Sequence, residues 1–597
     1  MDQKEAAPLG GAAHPRVGVL ARTAGKVLDR ALNISSTAVP YDVERNIEVP
    51  MGDGVVLLGD LYRATADTGP QPTVLIRSPY GRKGIVEMTA AAPLARRGFQ
   101  VFLQSTRGTF GSGGQFRPFT TEKDDGVETV AWVRRQPWSD GQVAMTGDSY
   151  NGHVQWAVAP YVDPPLAAVA PNVTAADITS AFYDHGVPCL ETALEYSSVI
   201  ARQERSNPLL TLLPHPRRNS RVRKVLRSLP VGRADSALLG APLPFWRDVV
   251  HHADPGDTYW AVADHSGIDY ATMPPTNMTT GWGDLFLKSQ LEDYRRLRQA
   301  GVDARLRVGP WLHGSVGRLR YALREDIEFL DHNLRGGPAP SRAPVRLYLQ
   351  QADTWLEFEN WPPAEATPVS VALQSNGKLT YRLGPAEGQP SPGIQKTSDG
   401  SQVEERSACA PSRFTYDPSD PTPTVGGPSF KPGGLQIDNK EIERRSDVLV
   451  FTGEPLSTDT DIVGVASARI YLRTSLPYAD LFVRVCDVDP KGVSRNVIDG
   501  IRRLDQRTVP APDVKELEKG ILAVDVELSP TAHRFKATHR IRVQVSGGAF
   551  PRYARNLGTG DPFASSTAYE PCDFEVFHDA DRPSEVTLTM IESTAAN

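Results

Sequence analysis

The chain has 597 residues, of which 40% are hydrophobic and 23% charged, and its formal net charge is −6. This length exceeds what one hydrophobic core supports, so we expect about three domains, and the ordinary composition excludes a fibrous or disordered protein. The negative net charge gives no overall attraction to phosphate polymers, which argues against nucleic acid as a partner.

Residues 1–43 are predicted to form an N-terminal extension. Within it, residues 16–32 have the pattern of a short basic amphipathic helix, which we expect to dock on the body of the protein rather than to anchor it in a membrane. The start lacks the apolar core of a signal peptide, and no window approaches the ~20 apolar residues of a membrane span. We therefore expect a cytoplasmic protein with no membrane partner.

Residues 44–173 begin as a hairpin and then alternate between strand and helix patterns. A glycine-bearing turn lies between two strand-like runs in 44–64. Helical patterns at 121–135 and from 150 onward then alternate with short apolar runs, which lie at 73–80, 99–105, 142–147 and 166–171. This alternation predicts an α/β fold, with a parallel sheet covered by helices on both faces.

The alternation lapses over 174–271, where helical spacing and many prolines predict a helical insertion. Its segment 217–227 is basic, but Val222, Val225 and Leu226 lie at helical spacing. That spacing favours the solvated face of an amphipathic helix over a nucleic-acid patch.

The α/β pattern resumes over 272–335 and gives way to a third region. Strands are predicted at 276–281 and 304–310, and helices at 285–301 and 325–334. A Pro/Gly-rich linker follows at 335–344. Beyond it the alternation has period two, since polar residues separate the apolar Ile541, Val543, Val545, Val586, Leu588 and Met590. Residues 345–597 are therefore predicted to form an antiparallel β-sandwich, a jelly roll.

The stretch VAMTGDSYNG, residues 143–152, runs from an apolar strand directly into Ser149. In a strand, turn, helix unit the residue at the tight turn lies above the carboxyl ends of the strands, where ligands bind. Gly147 supplies the small residue that the turn needs, although the usual GxSxG order is altered: Asn151 stands where the second glycine is expected. We read Ser149 as a nucleophile; the alternative is an ordinary serine in a glycine-bearing turn.

A free hydroxyl is a poor nucleophile, so Ser149 needs a base and an orienting acid. In this topology they follow in the order Asp, His, each just after a later strand. Asp284 ends the run TTGWGD, and His313 ends RLRVGPWLH. Taken singly, the aspartate could be a helix cap and the histidine structural. Chain order and strand-end placement agree, however, and they predict a Ser149, Asp284, His313 triad.

The motifs GDSYNG, RSPY, GWGD and GPWLH, with C-terminal stretches such as HRIRVQVSGGAFPRYARN, resemble a known family of serine hydrolases. It includes bacterial cocaine esterases, X-prolyl dipeptidyl peptidases, glutaryl cephalosporin acylases and α-amino acid ester hydrolases, and the resemblance spans about residues 44 to 590. It implies an α/β-hydrolase domain over 44–173 and 272–335, a helical cap over 174–271 and a galactose-binding-like jelly roll.

The resemblance also implies roles for individual residues. Ser149 would be the nucleophile, His313 the general base and then acid, and Asp284 the residue that fixes the imidazole tautomer. The Tyr80 hydroxyl and the backbone amide of Tyr150 would form the oxyanion hole. The alternative for Tyr80 is an ordinary half-buried tyrosine.

The substrate class must come from the pocket, because one triad serves esters and amides alike. In α-amino acid ester hydrolases, acidic residues two and three positions after the triad aspartate hold the substrate's ammonium group; here those positions are Phe286 and Leu287. The resemblance therefore favours a small-molecule ester with an apolar or aromatic acyl group. It places Phe286, Phe182 and Tyr183 at that pocket, although each could instead serve packing.

Other functions stay open. An X-prolyl dipeptidyl peptidase would need an anion for the peptide's amino terminus, and the insertion offers Asp177, Asp184, Glu191 and Glu195. An acyltransferase would use the same acyl-enzyme with another acceptor. A non-catalytic binding protein built on the sandwich would not need the triad and Tyr80 all intact. A homodimer is left open.

No cofactor and no metal is predicted. The glycine-rich stretch 108–114 lacks the order of a phosphate-binding loop. His251 and His252 lack further ligands at useful spacing. The cysteines are widely scattered and predict small core residues rather than a metal site or a disulfide framework: Cys189, Cys409, Cys486 and Cys572.

Overall fold

The computed structural model describes residues 39–592 except 68, 204–215, 254–256, 383–409, 431–433 and 506–512. These residues divide into two compact units. The first unit holds residues 39–171, 272–276 and 319–340, and the second holds 172–271, 277–318 and 341–592.

The helices and strands are numbered in chain order. The strands are β1 (Tyr41–Pro50), β2 (Val56–Ala64), β3 (Gln71–Ser78), β4 (Gln100–Ser105), β5 (Ser139–Asp148), β6 (Val169–Asn172), β7 (Tyr183–Asp184), β8 (Val187–Pro188), β9 (Thr276–Gly283), β10 (Ala304–Leu312), β11 (Val345–Leu349), β12 (Thr354–Phe358), β13 (Thr367–Leu373), β14 (Leu379–Arg382), β15 (Ser412–Tyr416), β16 (Val448–Thr452), β17 (Thr460–Thr474), β18 (Tyr478–Val488), β19 (Ser494–Asp505), β20 (Val514–Glu516), β21 (Leu522–Phe535), β22 (Arg540–Ser546), β23 (Cys572–Val576) and β24 (Glu585–Ile591). The α-helices are α1 (Ala92–Ala95), α2 (Glu122–Arg134), α3 (Tyr150–Trp156), α4 (Leu190–Ile200), α5 (Pro216–Leu226), α6 (Ala234–Leu239), α7 (Pro244–His251), α8 (Leu287–Gln299), α9 (Val316–Arg335) and α10 (Lys440–Glu443).

In the first unit the strands lie in the order β1-β2-β4-β3-β5-β6. The predicted hairpin is present as the antiparallel pair β1 and β2, and β3 pairs in parallel with both β4 and β5. Because β3 is covered on both faces, its residues from Thr73 to Ser78 are all buried. Helices α2 and α3 pack against β5. These pairings and helices confirm the predicted α/β fold.

In the second unit, β9 neighbours β10, and β10 pairs in parallel with β11. A Cβ at Gly281 of β9 would lie 2.3 Å from the Trp311 carbonyl oxygen, so only glycine lets the backbones of β9 and β10 approach this closely. Strand β12 pairs antiparallel with β11. The boundary predicted at residue 345 therefore falls inside a run of paired strands.

Residues 174–271 of the same unit hold α4 to α7 and the two-stranded pair of β7 and β8. Helix α5 covers most of the basic segment 217–227. Its Val222 and Leu226 are buried while Arg223 is exposed, as the helical spacing predicts.

The C-terminal residues of the second unit form a β-sandwich. One sheet has the order β14-β13-β24-β17-β21-β20, with β23 paired to β17 and β15 to β23, and the other has the order β16-β22-β18-β19. Ile541, Val543 and Val545 of β22 are fully buried in its core. This burial follows the period-two alternation and confirms the predicted sandwich.

Two sequence-level expectations concern membranes and cysteines. Within the described ranges, no helix is both long enough and apolar enough to cross a membrane. Cys189, Cys486 and Cys572 are buried free thiols, as predicted, whereas Cys409 and the helix predicted over 16–32 lie outside the described residues.

Candidate active site

Ser149 stands at the turn between β5, which ends at Asp148, and α3, which begins at Tyr150. Its backbone has φ 57° and ψ −118°, a conformation that costs a residue with a side chain about 1–3 kcal/mol. Gly147 has φ 154°, and a Cβ there would lie 2.5 Å from the Cβ of Asn151. The altered motif therefore still forms a strained elbow, because Gly147 leaves the space that Asn151 fills.

Tyr80 follows β3 and is half-buried. Its backbone N–H donates to Ser78 Oγ at 3.1 Å. The Tyr80 ring meets the ring of Tyr150 edge-on, with 6.3 Å between centroids and an interplanar angle of 76°. The two residues predicted to form the oxyanion hole are thus in aromatic contact.

A buried ion pair that the sequence analysis did not identify lies beside Tyr150. Arg77 Nη1 is 3.0 Å from Glu122 Oε2, and their side chains are 0% and 2% exposed. The Tyr150 hydroxyl donates to Glu122 Oε1 at 2.7 Å and accepts the Phe119 N–H at 2.9 Å. Burial raises the pKa of Glu122, an effect that Arg77 opposes.

Asp284 and His313, predicted from separate strand ends, lie together in the second unit. Asp284 follows β9 and its Oδ2 is 2.9 Å from Nδ1 of His313, which follows β10. Asp284 Oδ1 accepts the N–H of Phe286 at 2.9 Å. The carboxylate therefore contacts the imidazole with one oxygen and fixes the turn before α8 with the other, while the N-cap of α8 is Phe286, which has no side-chain cap.

Aromatic rings surround the imidazole of His313. The Phe286 ring lies 5.7 Å from it between centroids, and the Phe430 ring meets it edge-on at 4.9 Å. Tyr196 stacks on Phe430 at 6.2 Å with an interplanar angle of 11°. Phe430 could not be found by sequence pattern, because it lies in a Pro/Gly-rich loop without periodicity.

Phe182 and Tyr183 make their observed contacts within the insertion. Phe182 is buried against Tyr196 and Phe245, with ring centroids 5.8 and 5.2 Å away. The Tyr183 hydroxyl donates to the Val249 carbonyl at 2.8 Å. These contacts fit packing, the alternative considered for both residues, although Tyr183 also lines a cavity.

That cavity has a volume of about 500 Å³, and Asp177, Asp184, Asp284 and Lys288 are among the residues that line it. The Asp184 carboxylate is 3.2 Å from Lys288 Nζ and accepts the Tyr553 hydroxyl at 2.6 Å. Burial opposes ionisation of Asp184, but Lys288 and other cations outweigh it and hold its pKa below the ordinary value. Asp184 is therefore ionised, and its negative charge is already paired with positive charges of the protein.

The remaining carboxylates of the insertion have other surroundings. Asp177 accepts the backbone N–H and the hydroxyl of Thr179, at 2.8 and 2.6 Å, at the start of a helical turn. Glu195 is buried on α4 and Glu191 is half-buried at its start. Of these four acidic residues, Asp177 and Asp184 line the cavity.

Of the paired histidines, His251 is exposed and His252 has local contacts. His252 Nδ1 is 2.7 Å from Asp257, and its ring stacks on Tyr259 at 3.8 Å. Throughout the part of the chain that the structure describes, no group of three or more His, Cys, Asp or Glu side chains is arranged to hold a metal ion.

Two family models match the chain and divide it near the linker. The model of X-Pro dipeptidyl-peptidase (S15 family) matches residues 53–315, and that of the X-Pro dipeptidyl-peptidase C-terminal non-catalytic domain matches residues 340–574. Their order agrees with an α/β part followed by a sandwich.

Individual proteins resemble the chain over nearly its whole length. Cocaine esterase of Rhodococcus sp. (strain MB1 Bresler) is 31% identical over 590 residues, which cover 92% of this chain and 99% of the esterase. An aminopeptidase from a marine sediment archaeon, Thaumarchaeota archaeon, has a TM-score of 0.73 at 23% identity and covers 92% of this chain and 97% of its own. An α-amino acid ester hydrolase has a TM-score of 0.72 at 20% identity, and the match covers 98% of this chain and 100% of the hydrolase. At these identities the two structures show a shared fold.

Proposed function

This chain belongs to the family of S15 X-Pro dipeptidyl-peptidases and cocaine esterase, and we propose that it hydrolyses carboxylic esters with an apolar or aromatic acyl group through an acyl-enzyme on Ser149. Membership makes the chain a serine hydrolase of the α/β-hydrolase type, and the relationship to cocaine esterase places it with the ester hydrolases. The acyl-group preference and the role of each residue are the finer part of the proposal.

The observation that carries the proposal is the pair of Asp284 and His313. Since Asp284 contacts Nδ1, it selects the tautomer in which Nδ1 carries the hydrogen and Nε2 can accept a proton. The second oxygen of Asp284 is fixed by the Phe286 N–H, so the carboxylate cannot rotate without losing that hydrogen bond. A histidine held in this way is suited to general-base catalysis.

In the proposed acylation step, His313 Nε2 removes the proton of Ser149 Oγ as the oxygen attacks the ester carbonyl carbon. The carbonyl oxygen becomes an oxyanion and accepts hydrogen bonds from the Tyr80 hydroxyl and the Tyr150 amide. Asp284 stabilises the imidazolium that forms. When the tetrahedral intermediate collapses, His313 returns the proton to the leaving alcohol and an ester of Ser149 remains.

Deacylation repeats the same steps with water as the nucleophile. His313 takes a proton from the water as its oxygen attacks the acyl carbon, and the same two donors stabilise the second oxyanion. Collapse then releases the carboxylic acid, and the proton returns to Ser149 Oγ.

The acyl preference rests on what surrounds His313 and on the state of Asp184. Phe286 and Phe430 present apolar rings to the imidazole, which suits an uncharged acyl group. A substrate with a free ammonium group would need an unpaired carboxylate, but Asp184 already pairs with Lys288 and Tyr553. The proposal therefore ranks apolar esters above amino esters and dipeptidyl amides.

The test is a panel of p-nitrophenyl benzoate and phenylacetate, α-amino acid esters and Xaa-Pro p-nitroanilides, each with the wild type and the Ser149→Ala variant. We expect the aryl esters to have the highest kcat/KM and Ser149→Ala to lose several orders of magnitude in kcat. Unchanged ester turnover in Ser149→Ala would refute the mechanism. A higher kcat/KM for the Xaa-Pro anilides would replace the esterase by a dipeptidyl peptidase, and faster turnover with added alcohol or amine would indicate acyl transfer.

We propose a cytoplasmic location as well. Its support is chemical: the described cysteines, Cys189, Cys486 and Cys572, are free thiols, a state that a reducing compartment maintains. Fractionation of the native host with an antibody against the chain would test it, and recovery from a secreted or envelope fraction would contradict it.

A further inference from the structure

The residue after the proposed nucleophile contributes only its backbone amide to the reaction, yet its side chain has well-defined partners. Tyr150 is the first residue of α3, and the first N–H groups of a helix have no acceptor within the helix itself. Such an amide can point at an oxyanion only if the peptide plane is held in place. The elbow that precedes it is strained, so its direction has to be fixed from outside the turn.

We propose that Glu122 is a positioning residue of this enzyme: by holding the Tyr150 hydroxyl, it fixes the peptide plane whose N–H stabilises the oxyanion. The inference rests on the proposed function. It assigns a role to a carboxylate that never touches substrate and that lies 27 residues before the serine in the chain.

The first support is the completeness of the hydroxyl's hydrogen bonding. The Tyr150 hydroxyl donates to Glu122 Oε1 at 2.7 Å and accepts the N–H of Phe119 at 2.9 Å, so its one donor and one acceptor direction are both used. Hydrogen bonds in a buried site are directional, and together these two hold the phenol oxygen in one position. The ring is clamped at its far end.

The second support is the way Glu122 itself is held. Arg77 Nη1 contacts both Glu122 Oε2, at 3.0 Å, and the Glu122 carbonyl oxygen, at 2.9 Å. Arg77 Nε in turn donates to Gln104 Oε1 at 2.9 Å, and Gln104 also accepts the Thr129 hydroxyl at 3.0 Å. The carboxylate is therefore part of a buried, rigid network that ties α2 to β3 and β4.

The third support is aromatic packing on both sides of the phenol. Phe119 stacks on the Tyr150 ring at 4.6 Å, and Tyr80 meets it edge-on at 6.3 Å. Phe119 has φ 69°, a left-handed conformation that bulky residues rarely adopt. This backbone conformation directs both its ring and its N–H towards Tyr150. Tyr80 is the other proposed oxyanion donor, so the ring of Tyr150 contacts that donor as well as carrying its own backbone amide.

The test uses Tyr150→Phe, which removes the hydroxyl and keeps the ring and the backbone amide. We expect kcat/KM for p-nitrophenyl benzoate to fall about 10- to 100-fold, less than the loss of a whole oxyanion donor. The inhibition constant of an arylboronic acid, which forms a tetrahedral anion on the serine, should rise by the same factor. The inhibition constant of a neutral benzamide of the same size should change less than about twofold, since ground-state binding does not use the donor.

Variants of Glu122, the hydrogen-bond partner of Tyr150, distinguish a positioning role from a general folding defect. Glu122→Gln keeps an acceptor for the Tyr150 hydroxyl and should retain kcat/KM within about threefold, whereas Glu122→Met should match Tyr150→Phe. Tyr270→Phe is the matched control, because its buried hydroxyl also donates to a carboxylate, Asp293, at 2.7 Å, and it should leave the boronic acid constant unchanged.

The possible outcomes distinguish failure of the positioning role from failure of the proposed function. If Tyr150→Phe keeps the wild-type kcat/KM and boronic acid constant, the positioning role is refuted. If boronic acid and benzamide constants rise together, the effect is general disruption of the site and the role is again refuted. If Ser149→Ala retains ester turnover and boronic acid affinity, the proposed function fails and not merely this inference.

Discussion

The residues around Ser149 and those around His313 are held by different kinds of contact. Beside Ser149, the first unit places a fully buried ion pair, Arg77 with Glu122, and hydrogen bonds that run to Tyr150. Beside His313, the second unit places one carboxylate and several aromatic rings, among them Phe430. The first region combines aromatic packing with an extended set of directional polar contacts, whereas in the second the aromatic rings pack around the pair of Asp284 and His313.

The difference matches what each group must do. An oxyanion donor works only when its N–H or O–H points at the developing charge, so the elbow needs contacts that fix angles. An imidazole needs its tautomer set by one acceptor and its ring protected from competing water, and apolar rings supply that protection without competing hydrogen bonds. Changes in the first region should therefore act on the transition state, and changes among the rings on substrate preference.

The largest effect is expected from Asp284→Asn, which changes the carboxylate that contacts His313 Nδ1 at 2.9 Å. The amide can donate to Nδ1 and so favours the wrong tautomer, and the loss in kcat should be about 10⁴-fold. Stopped-flow or steady-state turnover of p-nitrophenyl benzoate measures it. A loss below about tenfold would mean that the pair of Asp284 and His313 is structural and that the histidine region does not serve catalysis.

Tyr80→Phe comes next and probes the serine region. Loss of one oxyanion donor should lower kcat about 10²- to 10³-fold with little change in KM. Tyr41→Phe, a buried tyrosine of the same unit, is the matched control and should leave kcat unaffected. A rise in KM with unchanged kcat would show that the Tyr80 hydroxyl binds ground-state substrate instead.

A smaller effect is expected from Phe430→Leu in the ring cluster. An edge-on aromatic contact contributes about 0.5–1.5 kcal/mol, so kcat/KM for aryl acyl esters should fall about 3- to 10-fold. The same variant should change turnover of p-nitrophenyl acetate much less, because that acyl group is too small to reach a ring. Equal losses for both esters would show that Phe430 acts on the imidazole and not on the acyl group.

The smallest effect concerns stability and contrasts the fully buried carboxylate of Glu122 with the partly buried carboxylate of Asp184. Burial raises the pKa of Glu122, whereas Lys288 and other cations lower the pKa of Asp184 in spite of burial. A lowered carboxyl pKa stabilises the fold above the unfolded value, about 3.9, and that contribution is lost as pH falls towards the folded value. Asp184→Asn should therefore lower Tm by roughly 2–4 °C at pH 7, and the difference from wild type should shrink below about pH 4.

Thermal unfolding of both proteins from pH 7 to pH 3 measures this prediction. A difference in Tm that stays constant over the whole range would show that Asp184 contributes through packing alone. Asp177→Asn is the contrasting control: burial raises the pKa of Asp177, so its ionisation works against the fold and the difference in Tm from wild type should change with pH in the opposite direction.

Much of the fold and part of the site could be predicted from the sequence because they depend on local pattern. Alternating strands and helices gave the α/β part, period-two runs such as Ile541 to Val545 gave the sandwich, and strand ends gave Asp284 and His313. The strand pairing of Val345 with Leu306 could not be predicted, because a Pro/Gly-rich stretch suggested a domain boundary where the chain returns to pair with β10.

Two features of the site lay beyond sequence reasoning for physical reasons. The sequence pattern indicates only that Glu122 is an acidic residue at a helix start, where the helix dipole favours it. Its burial against Arg77 depends on a residue 45 positions away and leaves no local pattern. Phe430 lies in an irregular loop whose path depends on packing far along the chain. The contacts of both residues join segments that are distant in sequence.

The most direct test of the central claim is to identify the atom that carries the acyl group. Wild-type enzyme would be mixed with p-nitrophenyl benzoate, quenched in acid within the first turnover, digested and mapped by mass spectrometry, with Ser149→Ala treated in parallel. The account predicts one benzoyl group, on Ser149, and none in the variant. A benzoyl group on another residue, or undiminished turnover with no covalent adduct, would contradict it.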